Sequence, residues 1–202
     1  MHKLFIILLV LTLFSCRRNR DEELSTKANI TVRDRETLDS LPGAQVTIFK
    51  VKRTDNTLVS LVNEGTADNN GFYSNTFISD ENYYYYTTAQ SGSYLIANYE
   101  IINRGRENNI EVKLARPGYL SIHLKNTSPF DTNDVVNIFN SNYYLTSQIF
   151  TGNSIDTTII ITAYGNQSNP VNWKVTKNDT TITYNQTFNY ISLDTISFDL
   201  FY

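Results

Sequence analysis

Apolar residues recur at every second position through most of this chain, a period that suits strands and little else. Ile30 and Val32 alternate with polar neighbours, as do Val46 and Ile48, and then Leu120, Ile122 and Leu124. Near the end, Ile196, Phe198, Leu200 and Tyr202 fall on one side in the same way. No stretch of ten or more residues carries a helical stripe. The 202 residues include 14 Tyr and 11 Phe against one Met and one Trp, with abundant Thr and Asn. Aromatic and β-branched residues favour a half-buried pleated surface, whereas Asn, Asp and Gly favour turns. The expectation is an all-β protein.

Turn signals divide the alternating segments into two groups. In the first they include Asp39–Ala44 and Thr66–Tyr73, with strands predicted at Asn82 to Ala89, Tyr94 to Ile102 and Ile110 to Leu114. That makes about seven strands over residues 28–116, the pattern of a small β-sandwich. Arg116-Pro117-Gly118 is the best internal boundary, because Pro ends pairing and Gly lets the chain redirect. Residues 117–202 then read as a second, immunoglobulin-like sandwich. Its predicted strands include Tyr143 to Phe150, and its predicted turns Gly165–Pro170 and Lys177–Asp179. The fold class expected is two tandem β-sandwiches.

Before the first unit, Met1-His2-Lys3 precedes an apolar run, Leu4 to Phe14, broken only by Thr12. Eleven helical residues reach roughly 16 Å, about half of a hydrocarbon core, so the run is too short to span a membrane. It is the right length for a secretory signal peptide. Leu13-Phe14-Ser15-Cys16 resembles the lipobox of bacterial lipoprotein signals, which places Leu three residues before an acceptor Cys and a small residue immediately before it. The resemblance implies that residues 1–15 are removed and that Cys16, the only Cys in the chain, carries the acyl chains. Several chains at about 0.8 kcal/mol per buried methylene anchor stably where one would not. Residues 16–27 then read as the lipidated Cys and a charged tether. Asp21-Glu22-Glu23 resembles the short acidic signal that sends some lipoproteins to the outer leaflet. The location implied is the outer membrane, facing the cell surface or otherwise the periplasm.

Within the first unit, Leu41-Pro42-Gly43-Ala44-Gln45-Val46 and Thr66-Ala67-Asp68-Asn69-Asn70-Gly71-Phe72 resemble two motifs of the carboxypeptidase-regulatory-like (transthyretin-like, or prealbumin-like) family. The likeness covers roughly residues 28–115. It departs from the family by one extra residue between Thr66 and Asp68 and by a displaced Gly-Tyr in the late strand. The family implies a structural or binding module, and it carries no catalytic residues to transfer. In this reading Asp68 to Gly71 form the turn, and Phe72 starts the next strand into the core.

The inventory of reactive groups argues against an enzyme. Once residues 1–15 are removed, His123 is the only His, predicted to point outward beside Ser121 and Lys125. Zinc lacks ligands, and no cofactor is expected. Asp80-Glu81 and Asp131 with Asp134 are the close acidic pairs, both in turn-like sequence. Calcium needs only oxygen-rich loops, which Asp68-Asn69-Asn70 and Asp131–Asp134 could supply, although neither follows an established spacing. Net charge is −3 for the whole chain, which argues against nucleic acid. Asp39-Ser40-Leu41, Asp156-Thr157-Thr158, Asp179-Thr180-Thr181 and Asp194-Thr195-Ile196 each resemble a bacterial O-glycosylation acceptor. The run Tyr83-Tyr84-Tyr85-Tyr86 is the candidate binding surface: in a strand one pair points inward and the other outward. The expected function is a non-catalytic, membrane-anchored binding or adhesion module touching glycan or an envelope protein. The alternative is a periplasm-facing accessory subunit of a larger envelope assembly.

Overall fold

A computed structural model describes residues 23–96, 98–139 and 147–202. These residues form fifteen strands and no helix. The first eight strands are β1 (Leu24–Asp34), β2 (Gln45–Lys52), β3 (Asp55–Thr66), β4 (Phe72–Ser79), β5 (Tyr83–Gln90), β6 (Leu95–Ile96), β7 (Glu100–Ile102) and β8 (Glu107–Ala115). They build two four-stranded sheets, ordered β4-β1-β8-β6 and β3-β2-β5-β7. The alternating residues of β1, β2, β5 and β8 meet between these sheets in a core that includes Ile30, Val32, Val46, Ile48, Tyr85 and Leu114.

The remaining strands are β9 (Pro117–Lys125), β10 (Val135–Phe139), β11 (Gln148–Thr151), β12 (Asp156–Tyr164), β13 (Gln167–Lys177), β14 (Thr180–Tyr190) and β15 (Thr195–Phe201). They form a four-stranded sheet, β11-β10-β13-β14, and a three-stranded one, β12-β9-β15. A second core, with Leu120, Ile122, Ile138, Ile161 and Val171, lies between them. The protein is thus all-β, with two β-sandwiches in tandem. In each, the first strand pairs in parallel with the last, β1 with β8 and β9 with β15, while the other pairings are antiparallel.

Several sequence expectations need correction. The tether was expected to reach residue 27, but β1 starts at Leu24. It is drawn in because Thr26 is buried and hydrogen-bonds Ser79 at 2.7 Å. Tyr94 to Ile102 does not form one strand: β6 joins β8 in one sheet and β7 joins β5 in the other, so the chain crosses the sandwich between them. Phe72 faces out, while Tyr73 and Phe77 pack on the core.

Gly165–Pro170 was expected to be a turn, yet β13 begins at Gln167 and runs through Pro170. Counting from the closing pair Lys177–Thr180, position 170 points its missing N–H away from β14. On that side the last described pair is Phe139 with Asn172, so the proline removes no bond from that ladder. Of the predicted strand Tyr143 to Phe150, residues 143–146 lie outside the described residues, and β11 covers the remainder from Gln148.

A polar clasp joins the two sandwiches, which only Arg116 separates in sequence. Asp34 at the end of β1 is buried. Its Oδ1 accepts the N–H groups of Glu36 (2.7 Å) and Thr37 (3.1 Å), and its Oδ2 accepts Tyr94 Oη (2.8 Å) and Arg116 Nε (2.6 Å). Burial opposes its charge, but these four donors outweigh burial and hold its pKa down to about 2. The turn they order extends Arg35 and Glu36 toward the second sandwich. Asn166 Nδ2 donates to Glu36 at 3.0 Å, and Ser192 Oγ donates to the other Glu36 oxygen. With the Gln167 amide oxygen turned toward it, Arg35 donates both guanidinium nitrogens at 2.8 and 2.6 Å. Tyr164 Oη adds a bond to Ile96 O at 2.7 Å.

Candidate binding face

The Tyr run occupies the first half of β5, which lies between β2 and β7. Period-two alternation sends Tyr85, Thr87 and Ala89 into the core. Tyr85 is anchored there by its hydroxyl, which accepts the Asp80 N–H at 2.8 Å. Tyr83 also turns inward, onto the core edge, under Lys50 Nζ at 4.3 Å. Only Tyr84 and Tyr86 therefore remain on the outer face, which removes Tyr83 and Tyr85 from the candidate surface. That face is open, with Tyr84 43% exposed.

The neighbouring strands complete it. On β2, Thr47, Phe49 and Val51 point out, opposite the buried Val46 and Ile48. A bulge in β3 then changes which of its residues follow them. Ile48 pairs with Asn63 but Phe49 with Leu61, so Val62 is the extra residue and turns toward the core. Leu61 and Val59 come out beside Phe49 and Val51, each 60% exposed.

Phe49 stacks on Tyr86 with ring centroids 5.6 Å apart and meets Tyr99 edge-on at 5.5 Å. Arg53 lies over the Tyr84 ring, 4.3 Å from its centroid. The outward side chains of β2, β3 and β5, with Tyr99, line a shallow groove of about 780 Å³. Phe49, Val51, Val59 and Leu61 escaped the sequence reading. The available signal was the second apolar parity on β2, where Phe49 and Val51 interleave with Val46 and Ile48.

The other candidates are engaged elsewhere. His123 is half-exposed on the outer face of β9, between Asp156 Oδ1 at 2.8 Å and Asp199 Oδ1 at 3.3 Å. The hydrogen bond that its ring donates to Asp156, and then that to Asp199, outweigh desolvation and raise its pKa. Both ring nitrogens thus face carboxylates rather than a nucleophile.

Asp68 Oδ1 accepts the N–H groups of Asn70 (2.8 Å) and Phe72 (2.9 Å), closing its own turn. Asp134 is buried and accepts from Phe130 N, Asn126 Nδ2 and Asp131 N, while Asp131 Oδ1 accepts Asn133 N. These loop oxygens serve the turns themselves. Among the described residues no group of three or more His, Cys, Asp or Glu side chains is placed to hold a metal. Asp80 Oδ1 likewise accepts from Asn82. Cys16, Asp21 and Glu22 lie outside the described residues, and Glu23 is exposed just before β1.

No family model matches the sequence, and no curated protein matches it. Solved structures do show likeness. The minor pilin GBS52 of Streptococcus agalactiae is 11% identical over 87% of this chain and 94% of its own, with a TM-score of 0.43. A streptococcal ancillary pilin is 10% identical over 87% of this chain and 62% of its own, at 0.40. The TIE protein of Bacillus anthracis is 16% identical over 88% of this chain and 34% of its own, at 0.35.

Proposed function

We propose that this chain is a non-catalytic lipoprotein of the cell envelope. In this reading residues 1–15 are its signal and Cys16 its acylated first residue. Residues 28–116 form a carboxypeptidase-regulatory-like sandwich, and residues 117–202 a second domain. Asp21, Glu22 and Glu23 direct it to the outer surface. Its work is to bind, through the outer face of the β3-β2-β5-β7 sheet.

One observation carries this reading: Leu61, Val59 and Tyr84 lie exposed beside the half-buried Phe49 on one sheet face, where a sandwich needs no apolar groups. The aliphatic members favour a protein partner over a sugar. Val59 and Leu61 offer a glycan's hydroxyls no hydrogen-bond partner, whereas an apolar protein surface covers them without leaving polar groups unpaired. A glycan remains the second reading because Phe49, Tyr86 and Tyr99 offer ring faces and edges of the kind sugars stack on.

A photo-crosslinking residue placed in living cells at Leu61, with Ile160 on the second sandwich as an exposed apolar control, tests the reading. A discrete protein adduct from position 61 alone supports it. No adduct, together with glycan binding that Tyr84→Ala/Tyr86→Ala removes, moves the assignment to carbohydrate. Cys16→Ala tests the anchor separately, since it should move the protein from the membrane pellet to the soluble fraction. Protease shaving of intact cells, with and without replacement of Asp21, Glu22 and Glu23 by Ala, tests the orientation.

A further inference from the structure

In the second sandwich a four-stranded sheet faces a three-stranded one, and the mismatch falls on β14. This edge strand has eleven residues, of which Thr180 to Thr187 are all exposed. Its even-numbered side chains face the core side, where Phe188 and Tyr190 are buried. Ile182 and Tyr184 share that side but overhang the smaller sheet, at 51% and 41% exposed. Tyr184 is held flat against Trp173, centroid to centroid 5.6 Å.

β14 also lacks the usual protections of an edge. It has no charged residue, no Pro and no bulge, and its pairing with β13 is unbroken over its full length. The edges β3, β12 and β15 each carry Asp or Glu. β4, another uncharged edge, already packs its inner side chains Tyr73 and Phe77 on the first core.

The β13–β14 turn fixes which backbone groups are free. Asn178 and Asp179 have φ of 45° and 55°, the two left-handed residues of a type I′ hairpin, so Lys177–Thr180 is its hydrogen-bonded closing pair. Counting from there, Thr181, Thr183, Asn185 and Thr187 aim N–H and C=O away from β13.

We propose that a second copy of this chain pairs with this edge, β14 against β14, antiparallel about a two-fold axis at Thr183. Such an axis can fall at any residue of β14, because the outward-bonding odd residues meet one another in each case. At Ile182 it would set Ile182 against itself and Tyr184 against Thr180, and at Tyr184 it would set Tyr184 against itself and Ile182 against Gln186. At Thr183 it sets Ile182 beside Tyr184 of the second copy on the same face, so each covers the other. At Asn185 it would set Tyr184 against Gln186 and Ile182 against the already buried Phe188, which covers neither well. About six ladder hydrogen bonds form, from Thr181, Thr183 and Asn185 of each copy.

No charge in either strand opposes the contact. Lys174, paired with Thr183 across β13–β14, lies about 14 Å from its counterpart by strand spacing, beyond the screening length of physiological salt. A seven-residue pairing buries less than the roughly 800 Å² per partner of a standard interface, so the dimer is weak in free solution. On the lipoprotein reading proposed above, two copies tethered to one membrane meet at far higher effective concentration.

The chain from residue 16 onward, with Cys16→Ser, contains no other cysteine and permits a direct test. Thr183→Cys should give a disulfide-linked dimer on mild oxidation, because self-opposed residues lie about 5.5 Å apart at Cα. Thr181→Cys, about 14 Å from its counterpart in this register, should not. Sedimentation should show reversible dimer growing toward about 0.5 mM, within the weak range such an area allows. Thr183→Pro should abolish it, since the N–H it removes points away from β13 and the hairpin keeps its bonds. Equal cross-linking at 181 and 183, or monomer throughout with no cross-linking at 183, overturns the proposal. Should Thr183→Pro fail to fold, the two cysteine variants decide alone.

Discussion

Asp34 and His123 show how much a single side chain draws from distant parts of this chain. Asp34 is held at about 2, below the 3.8 of a free aspartate, so it stabilises the fold above the unfolded value. That contribution, on the order of 2 kcal/mol, is lost as pH falls from about 4 toward 2. Asp34→Ala should cost about 2–4 kcal/mol at pH 7, because Arg116, Tyr94 and two backbone N–H groups lose their acceptor. Urea unfolding at pH 7 and pH 3 should show that loss and a flatter acid limb. His123 has the opposite sign. Its raised pKa gives stability that is complete below the unfolded value and lost as pH rises through the folded one. Asp156→Asn should move its NMR titration midpoint down toward the ordinary range. Alternation alone points His123 outward, but nothing local reveals its carboxylates, since Asp156 and Asp199 come from other strands. Asp34 was equally illegible, because Tyr94 and Arg116 lie 60 and 82 residues away.

At the level of elements, period two located most strands, because one buried face fixes the side on which every residue falls. Where the reading slipped, a non-local choice had decided. Tyr94 to Ile102 is apolar enough for one strand, yet the sandwich uses its two ends in different sheets. Pro170 reads as a breaker, and it is tolerated because its missing donor faces no described partner. The turn into β4 was legible from Asp68 to Gly71, and a single substitution in it should be costly. Gly71 has φ +70°, and a Cβ there would sit 2.7 Å from Val32 O, itself the acceptor for Leu41 N–H. Gly71→Ala should therefore cost more than the ~1 kcal/mol typical of a left-handed glycine, since β1 must also shift. Gly92, φ +50° with open space around it, is the control, and Gly92→Ala should lower the melting temperature less.

Across the whole molecule, the two cores share no residues, and what couples them is polar and small: Arg35, Glu36 and the Ile96 carbonyl on one side, Tyr164, Asn166, Gln167 and Ser192 on the other. The sequence marks the junction by Arg116-Pro117-Gly118 but is silent on this clasp, because its two sides lie 130 or more residues apart for Glu36. The candidate binding face was half legible for a similar reason. Tyr84 and Tyr86 announce it, but the β3 bulge that brings Leu61 and Val59 beside them depends on how β3 meets β2. A clasp of this kind transmits stability only while its hydrogen bonds hold. Each contributes about 1 kcal/mol, more where charged, so together they suffice to make two marginal sandwiches unfold as one. Arg35→Ala/Glu36→Ala removes all of the clasp but the Tyr164–Ile96 bond, and leaves Asp34 with its four donors, two of which are backbone groups of this turn. Calorimetry of the parent should show one transition whose calorimetric and van't Hoff enthalpies agree. The double variant should split it into two, each near the size expected for roughly 90 residues. A single, merely shifted transition in the variant would mean that the continuous β8–β9 connection carries the coupling instead.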